Sequence, residues 1–217
     1  MKPASPIRVH HLNNSRSQRV LWLLEELRLP YEVVRYERDA RTMLAPATLK
    51  QVHPLGKSPV VEVDGLRLAE TALIVEFLVE RFGPELAPER DTEAYWRYRY
   101  WNHYAEGSAM PPLLLKLVID RMGLLGWPAR RFVRSQLELH LNYLEGELQG
   151  REWFAAEKFT AADIMMSFPL EVAVGRAGLD ATRPNLWAFL GRIHARPANA
   201  KALERGGAYA YARRPAA

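Results

Sequence analysis

Residues 53–71 read HPLGKSPVVEVDGLRLAET, and the order of turn, strand and helix signals inside this stretch decides the fold. Val60 to Val63 and Leu66 to Leu68 are short runs dominated by β-branched and aliphatic residues. Asp64-Gly65 between them is a two-residue sequence whose tolerance of positive φ suits a tight hairpin. Pro59 stands directly before the first run, where a residue with no N–H to give does not break a ladder. Glu70-Thr71 follows the second run and opens the segment Thr71 to Arg81. There Ala72, Val75, Leu78 and Val79 recur at helical spacing, and Leu73, Ile74 and Phe77 widen the apolar face. The stretch reads ββα.

Upstream, Ile7 to Leu12 reads as a strand, and Val20, Leu23, Leu24 and Leu27 then repeat on one face of a helix. Tyr31 to Arg35 is a second strand, and strand-helix-strand order imposes a right-handed crossover with parallel pairing. Residues 1–83 are thus predicted to form an α/β domain of order βαβ-ββα. Gly83, Pro84 and Pro88 interrupt both periodicities, which marks 84–90 as a linker. Beyond it, residues 91–217 show no strand pair. They read as an all-α domain of successive helices, broken near Pro111-Pro112, Gly126 to Pro128, Gly150, Gly178, Pro184 and Pro197.

A chain of 217 residues that is 48% hydrophobic and 25% charged has the composition of a soluble globular protein. No apolar run reaches the roughly 20 residues needed to cross a bilayer. The residues before Ile7 lack the apolar core of a signal peptide, so a cytoplasmic address without membrane attachment is expected. The net charge of +5 comes from 30 Lys+Arg against 25 Asp+Glu, spread without a basic block. That argues against dedicated nucleic-acid binding and suits a small anionic ligand. Cysteine is absent, so the chain has no thiolate for a disulfide, a metal or a redox step, and any sulfur chemistry comes from a bound partner. His10 and His11 are strand neighbours that point to opposite faces, and no metal site is expected. Gly56-Lys57-Ser58 is not a phosphate loop, because Gln51 stands where the leading glycine belongs and Pro59 blocks the helix start.

Three polar segments are candidates for ligand chemistry, and each has a purely structural alternative. Asn14-Ser15-Arg16-Ser17 follows the first strand, where amide or hydroxyl donors at the carboxyl end of a sheet suit the stabilisation of a thiolate, whose free thiol has a pKa of about 8.5. Alternatively, Ser15-x-x-Gln18 is a capping box. Ser58-Pro59 is either a trans turn or a cis bond that turns the N–H and C=O of Ser58 toward a peptide-like ligand. Glu70-Thr71 either caps its helix or serves the two ends of an amino-acid head group, with a carboxylate on the helix N-terminus at Thr71 and an ammonium on Glu70. Phe159-Thr160-x-x-Asp163-Ile164 combines a capping box with a hydrophobic staple and is assigned to structure. Trp96, Tyr100 and Tyr104 repeat every four residues, a spacing for helix packing or, in part, for lining a cleft. Trp101, Met110 and Leu113 read as core or as the wall of a co-substrate pocket.

The segments SRSQRVLWLLEELRLPYE from Ser15, HPLGKSPVVEVDG from His53, LAETALIVEFLVERFG from Leu68 and FTAADIMMSFPL from Phe159, in this order and spacing, resemble the cytosolic glutathione transferases over nearly the whole chain. The resemblance implies a thioredoxin-like N-terminal domain with Pro59 cis, an all-helical C-terminal domain, and glutathione as co-substrate, without a metal, in the cleft between them. It implies that Ser58 beside Pro59 holds the cysteinyl backbone of glutathione, that Glu70 and Thr71 hold its γ-glutamyl end, and that Lys57 reaches its glycine carboxylate. Thr71 stands where serine is more usual. The tyrosine of several animal classes has no counterpart near His10 or His11, and the cysteine of the omega and beta classes is absent. The SRSQRVLW pattern is similar to the serine-type and to fungal and bacterial classes. Thiol activation is therefore expected from Ser15, then Asn14, then Ser17, with Arg16 a further cation nearby. The implied reaction is conjugation of the thiol to an electrophilic, mostly apolar substrate in a detoxifying role, or reduction of an organic hydroperoxide, by a homodimer. A zeta-type isomerase would carry a Ser-Ser-Cys motif that is missing here, and a glutaredoxin-like reductase would need its own cysteine. The rival from another class is a non-catalytic relative that keeps the fold to bind hydrophobic ligands or protein partners.

Overall fold

The computed structural model describes residues 3–212. Strand β1 (Ile7–Leu12) pairs in parallel with β2 (Tyr31–Tyr36), Ile7 opposite Tyr31 and Leu12 opposite Tyr36. On its other side β1 runs antiparallel to β3 (Val60–Val63), which pairs antiparallel with β4 (Leu66–Ala69), giving the sheet order β2-β1-β3-β4. The hairpin forms at Asp64 and Gly65, whose φ values of 47° and 80° are those a two-residue turn with two positive angles requires. Helix α1 (Ser17–Glu26) supplies the β1–β2 crossover and buries Val20, Leu23 and Leu24, while Ile7 and Val9 of β1 are fully buried. A four-residue helix α2 (Leu49–Val52) precedes Pro59, and α3 (Thr71–Phe82) buries Ile74, Val75, Leu78 and Val79. The N-terminal arrangement is the predicted βαβ-ββα thioredoxin-like one.

The helical part comprises α4 (Glu93–Tyr104), α5 (Met110–Arg121), α6 (Trp127–Glu147), α7 (Ala161–Arg176), α8 (Pro184–His194) and α9 (Pro197–Gly206). The expected break at Pro111-Pro112 does not occur. The chain stays helical from Glu93 to Arg121, because a π-helical turn at Ala105–Ala109 precedes the prolines, which then occupy the first turn of α5. A proline costs a helix an interior N–H donor, and at a first turn that donor has no partner to lose. Trp101, Met110 and Leu113 are buried, Trp101 among the rings of Tyr104, Tyr143 and Phe154. They are core, so the reading of these three as a co-substrate wall is not retained. Of the aromatic stripe, Tyr104 is buried and Trp96 and Tyr100 are exposed.

Two compact units result, one of residues up to Leu86 together with Ala195–Ala212, the other spanning Ala87–His194. The expected all-helical domain of 91–217 therefore loses its last helix to the first unit; residues 213–217 lie outside the described ones. Helix α9 packs on α1 with Ala202 and Gly206 buried, and charge pairs join the two helices. Glu25 accepts from Lys201 at 2.8 Å, Tyr31 at 2.7 Å and Arg205 at 3.4 Å. Burial alone would raise the Glu25 pKa, and these partners overcome it and hold the carboxyl below its usual value. Arg196 grips Glu26 through two nitrogens at 2.6 and 2.9 Å, and the Arg205 guanidinium lies 3.7 Å from the centre of the Tyr31 ring.

Candidate active site

Strand register brings the three polar segments to one end of the sheet. His10 opposite Val60 sets Ser58 beside Leu12, and Val60 opposite Ala69 sets Glu70 beside Pro59. Asn14 to Ser17 leave β1 at this end, Lys57 to Pro59 enter β3, and Glu70-Thr71 leave β4. The Ser58-Pro59 bond is cis, which decides between the two readings of this dipeptide. The Ser58 hydroxyl donates to the His10 carbonyl at 2.8 Å and accepts the Leu12 N–H at 3.2 Å, so it is spent stitching the loop to β1. Among the described residues its own N–H and C=O make no backbone hydrogen bond. Lys57 is exposed.

Glu70 has φ 71° and ψ 122°, a conformation that costs a residue with a β-carbon about 1–3 kcal/mol and that clusters at ligand sites. Its side chain makes no capping bond, so the leading N–H groups of the twelve-residue α3 have no side-chain partner at that position. The capping alternative for Glu70 is not what the side chain does. An uncapped helix N-terminus is an anion site, and buried Thr71 is its first residue.

The turn after β1 is organised differently from either sequence reading. Helix α1 begins at Ser17, and no capping box joins Ser15 to Gln18. Instead the Ser15 Oγ lies 2.7 Å from the Ser17 Oγ and accepts the Ser17 N–H at 3.3 Å. Ser17 Oγ lies 2.8 Å from His11 Nδ1. Burial pushes the His11 pKa down to about 4, against a hydrogen bond to the Gly206 backbone that favours the protonated ring. Ser17 Oγ also lies 3.4 Å from the Leu12 carbonyl, a second acceptor for its hydroxyl. Both serines are buried in this network of hydroxyls, ring and backbone.

Asn14 is in the opposite condition. Its φ of 49° is a left-handed value that asparagine tolerates. Its Oδ1 accepts the backbone N–H of Ala210 at 2.6 Å, an interaction that fixes which way the amide faces. Nδ2, with two protons, has no hydrogen-bond partner among the described residues. Sequence reasoning missed His11, Gly206 and Ala210. The available signal was His11 itself, a polar residue in strand alternation with buried Ile7 and Val9. His10 bonds Tyr36 at 2.9 Å and has its pKa lowered by burial, with nearby Glu62 opposing. Among the described residues no group of three or more His, Asp or Glu is placed to hold a metal ion, and no helix is long and apolar enough to cross a membrane.

Comparison with known proteins agrees with this arrangement. Residues 15–81 match the glutathione S-transferase N-terminal domain, and residues 131–197 match the C-terminal domain of the same family. Glutathione S-transferase 3 of Schizosaccharomyces pombe is 39% identical over 76% of this chain and 73% of its own length. Glutathione S-transferase 1 of Saccharomyces cerevisiae is 32% identical over 78% and 82%, respectively. A crystal structure of a glutathione S-transferase from Actinobacillus pleuropneumoniae superposes with a TM-score of 0.85 at 36% identity, covering 95% of this chain and 96% of that one. With its thioredoxin-like sheet, its cis proline and its helical second unit, the chain belongs to the glutathione S-transferase family.

Proposed function

We propose that this protein is a glutathione transferase that binds glutathione along the sheet end at Ser58-Pro59 and uses its thiolate as a nucleophile. The observation that carries the reading is Glu70, held at a positive φ on an uncapped helix N-terminus next to the cis proline. That combination suits the α-carboxylate and α-ammonium of a γ-glutamyl group, with the carboxylate on the Thr71 N–H and the ammonium on Glu70. The free backbone of Ser58 pairs with the cysteinyl peptide, and Lys57 takes the glycine carboxylate.

Of the three thiol-activating candidates, Asn14 has the open donor, so we assign the sulfur contact to its Nδ2 and give Ser15 and Ser17 the task of holding the turn. The thiol loses its proton to solvent, and the amide stabilises the resulting anion. The sulfur lone pair then forms a C–S bond to an electrophilic carbon, and a leaving group such as halide departs with the electrons of the broken bond. Reduction of an organic hydroperoxide starts from the same anion, with a second glutathione closing the cycle as the disulfide. We also propose a cytoplasmic homodimer with a detoxifying role. Exposed Trp96 and Tyr100 of α4 and Leu139 and Tyr143 of α6 support dimerisation, since they form an apolar surface of the kind that self-association covers.

Calorimetric titration with glutathione, followed by conjugation to a chlorinated nitroarene and reduction of cumene hydroperoxide, tests the reading. Binding with turnover of either substrate is expected. Binding with turnover of neither leaves the non-catalytic relative as the better account, and absence of binding refutes the site.

A further inference from the structure

We infer that the backbone N–H of Ala210, in the C-terminal segment, is a positioning element for the sulfur site: it directs an amide donor of Asn14 outward. The inference rests on the glutathione reading and adds the means by which the donor is selected. A primary amide can present either its oxygen or its nitrogen to a ligand. An oxygen would repel a thiolate, whereas an N–H would stabilise it. The choice is made at Ala210, because a backbone N–H only donates and therefore captures Oδ1.

The segment that makes this choice is anchored at Arg205. Arg205 donates to the Tyr31 carbonyl at 2.9 Å, and Arg35 donates to the Arg205 carbonyl at 2.5 Å. Ala210 itself lies in a turn closed by the Ala212 N–H on the Tyr209 carbonyl at 3.2 Å. Ala210 is the second residue of that turn, the position at which proline is favoured. Ala210→Pro therefore deletes the N–H that Asn14 uses while keeping the backbone path.

The test compares wild type, Ala210→Pro, Asn14→Ala and the double variant. The readouts are the ultraviolet absorbance of the thiolate of bound glutathione as a function of pH, and glutathione affinity by calorimetry. Each single variant is expected to raise the bound-thiol pKa by about one unit. The double variant should raise it no further than Asn14→Ala alone, since the two act through one bond. Affinity should stay within about threefold, because Ser58, Glu70 and Thr71 are untouched, and circular dichroism should match wild type. If Asn14→Ala raises the pKa and Ala210→Pro leaves it at the wild-type value, the positioning role is overturned and the glutathione reading stands. An unchanged pKa in Asn14→Ala overturns the donor assignment as well. Failure of wild type to bind glutathione removes the reading on which both depend.

Discussion

Removing the carboxylate of Asp163 tests whether the second unit depends on one buried helix start. Asp163 is fully buried at the N-terminus of α7. Its Oδ1 accepts the Phe154 N–H at 2.9 Å, and its Oδ2 accepts the Thr160 N–H at 2.8 Å and the Thr160 hydroxyl at 3.1 Å. Asp163→Ala leaves two backbone N–H groups, in the fully buried residues Phe154 and Thr160, without partners. Each such orphan costs about 1–3 kcal/mol, so the expected loss is about 2–6 kcal/mol. That is a large share of the 5–15 kcal/mol by which folded chains are typically stable. At about 2–4 °C per kcal/mol for a chain of this size, Tm should fall by roughly 4–24 °C. Urea titration at pH 7, followed by tryptophan fluorescence and circular dichroism, measures the loss. Asp163→Asn, which keeps one acceptor oxygen, should lose about half as much. Burial pushes the Asp163 carboxyl up to about 6 from 3.8, so proton uptake favours the folded state. Wild type should gain on the Asn variant by about 3 kcal/mol as pH falls from above 6 to below 4. A loss under about 1 kcal/mol in Asp163→Ala would mean that both N–H groups find other partners and that the second unit does not depend on this carboxylate.

Two further outcomes separate binding from stability. Glu70→Gly removes the side chain that the ligand ammonium needs and relieves the positive φ. Glutathione affinity should fall at least about tenfold while Tm holds or rises, and normal affinity in calorimetry would exclude the head-group role. His11 has a folded pKa near 4 against 6.5 when free, so its neutral form stabilises the fold above pH 6.5, and that contribution is lost as pH falls toward 4. Wild type should lose about 3 kcal/mol over this window and His11→Gln should be flatter there; parallel acid-stability curves for the two would contradict the burial of a neutral ring.

The hairpin and the site end of the sheet were legible because they are local. Asp64-Gly65 specifies its turn by backbone preference alone, and Pro59 and Glu70 are placed by short strands on either side of that turn. Pro111-Pro112 misled because a π-helical turn absorbs what two prolines remove, and nothing in residues 105–109 announces one. The last helix was assigned to the wrong unit for a different reason. Arg196, Lys201 and Arg205 look like an ordinary solvated face until Glu25 and Glu26 are brought against them, and those partners lie at sequence separations of 170 to 180 residues. Ser15-x-x-Gln18 matched a capping pattern, yet Gln18 is buried against Gly206, at a spot where the side-chain oxygen would collide with any β-carbon at that position. Burial of Gln18 against that segment takes the side chain away from a local cap and accounts for glycine at 206.

The choice between Ser15 and Asn14 shows why residue type alone does not name an activating group. A serine hydroxyl carries one proton, and stabilising an anion requires that proton to be free to turn outward. Ser15 is buried, lies 2.7 Å from the Ser17 hydroxyl and accepts the Ser17 N–H, while Ser17 has His11 Nδ1 at 2.8 Å and the Leu12 carbonyl at 3.4 Å. Whichever serine donates between them, both hydroxyls are engaged within the turn, whereas the amide nitrogen of Asn14 is left over once Ala210 has taken its oxygen. Ser15→Ala should accordingly leave the bound-thiol pKa within about 0.3 units of wild type, and a rise of a full unit would show that Ser15 donates to the sulfur.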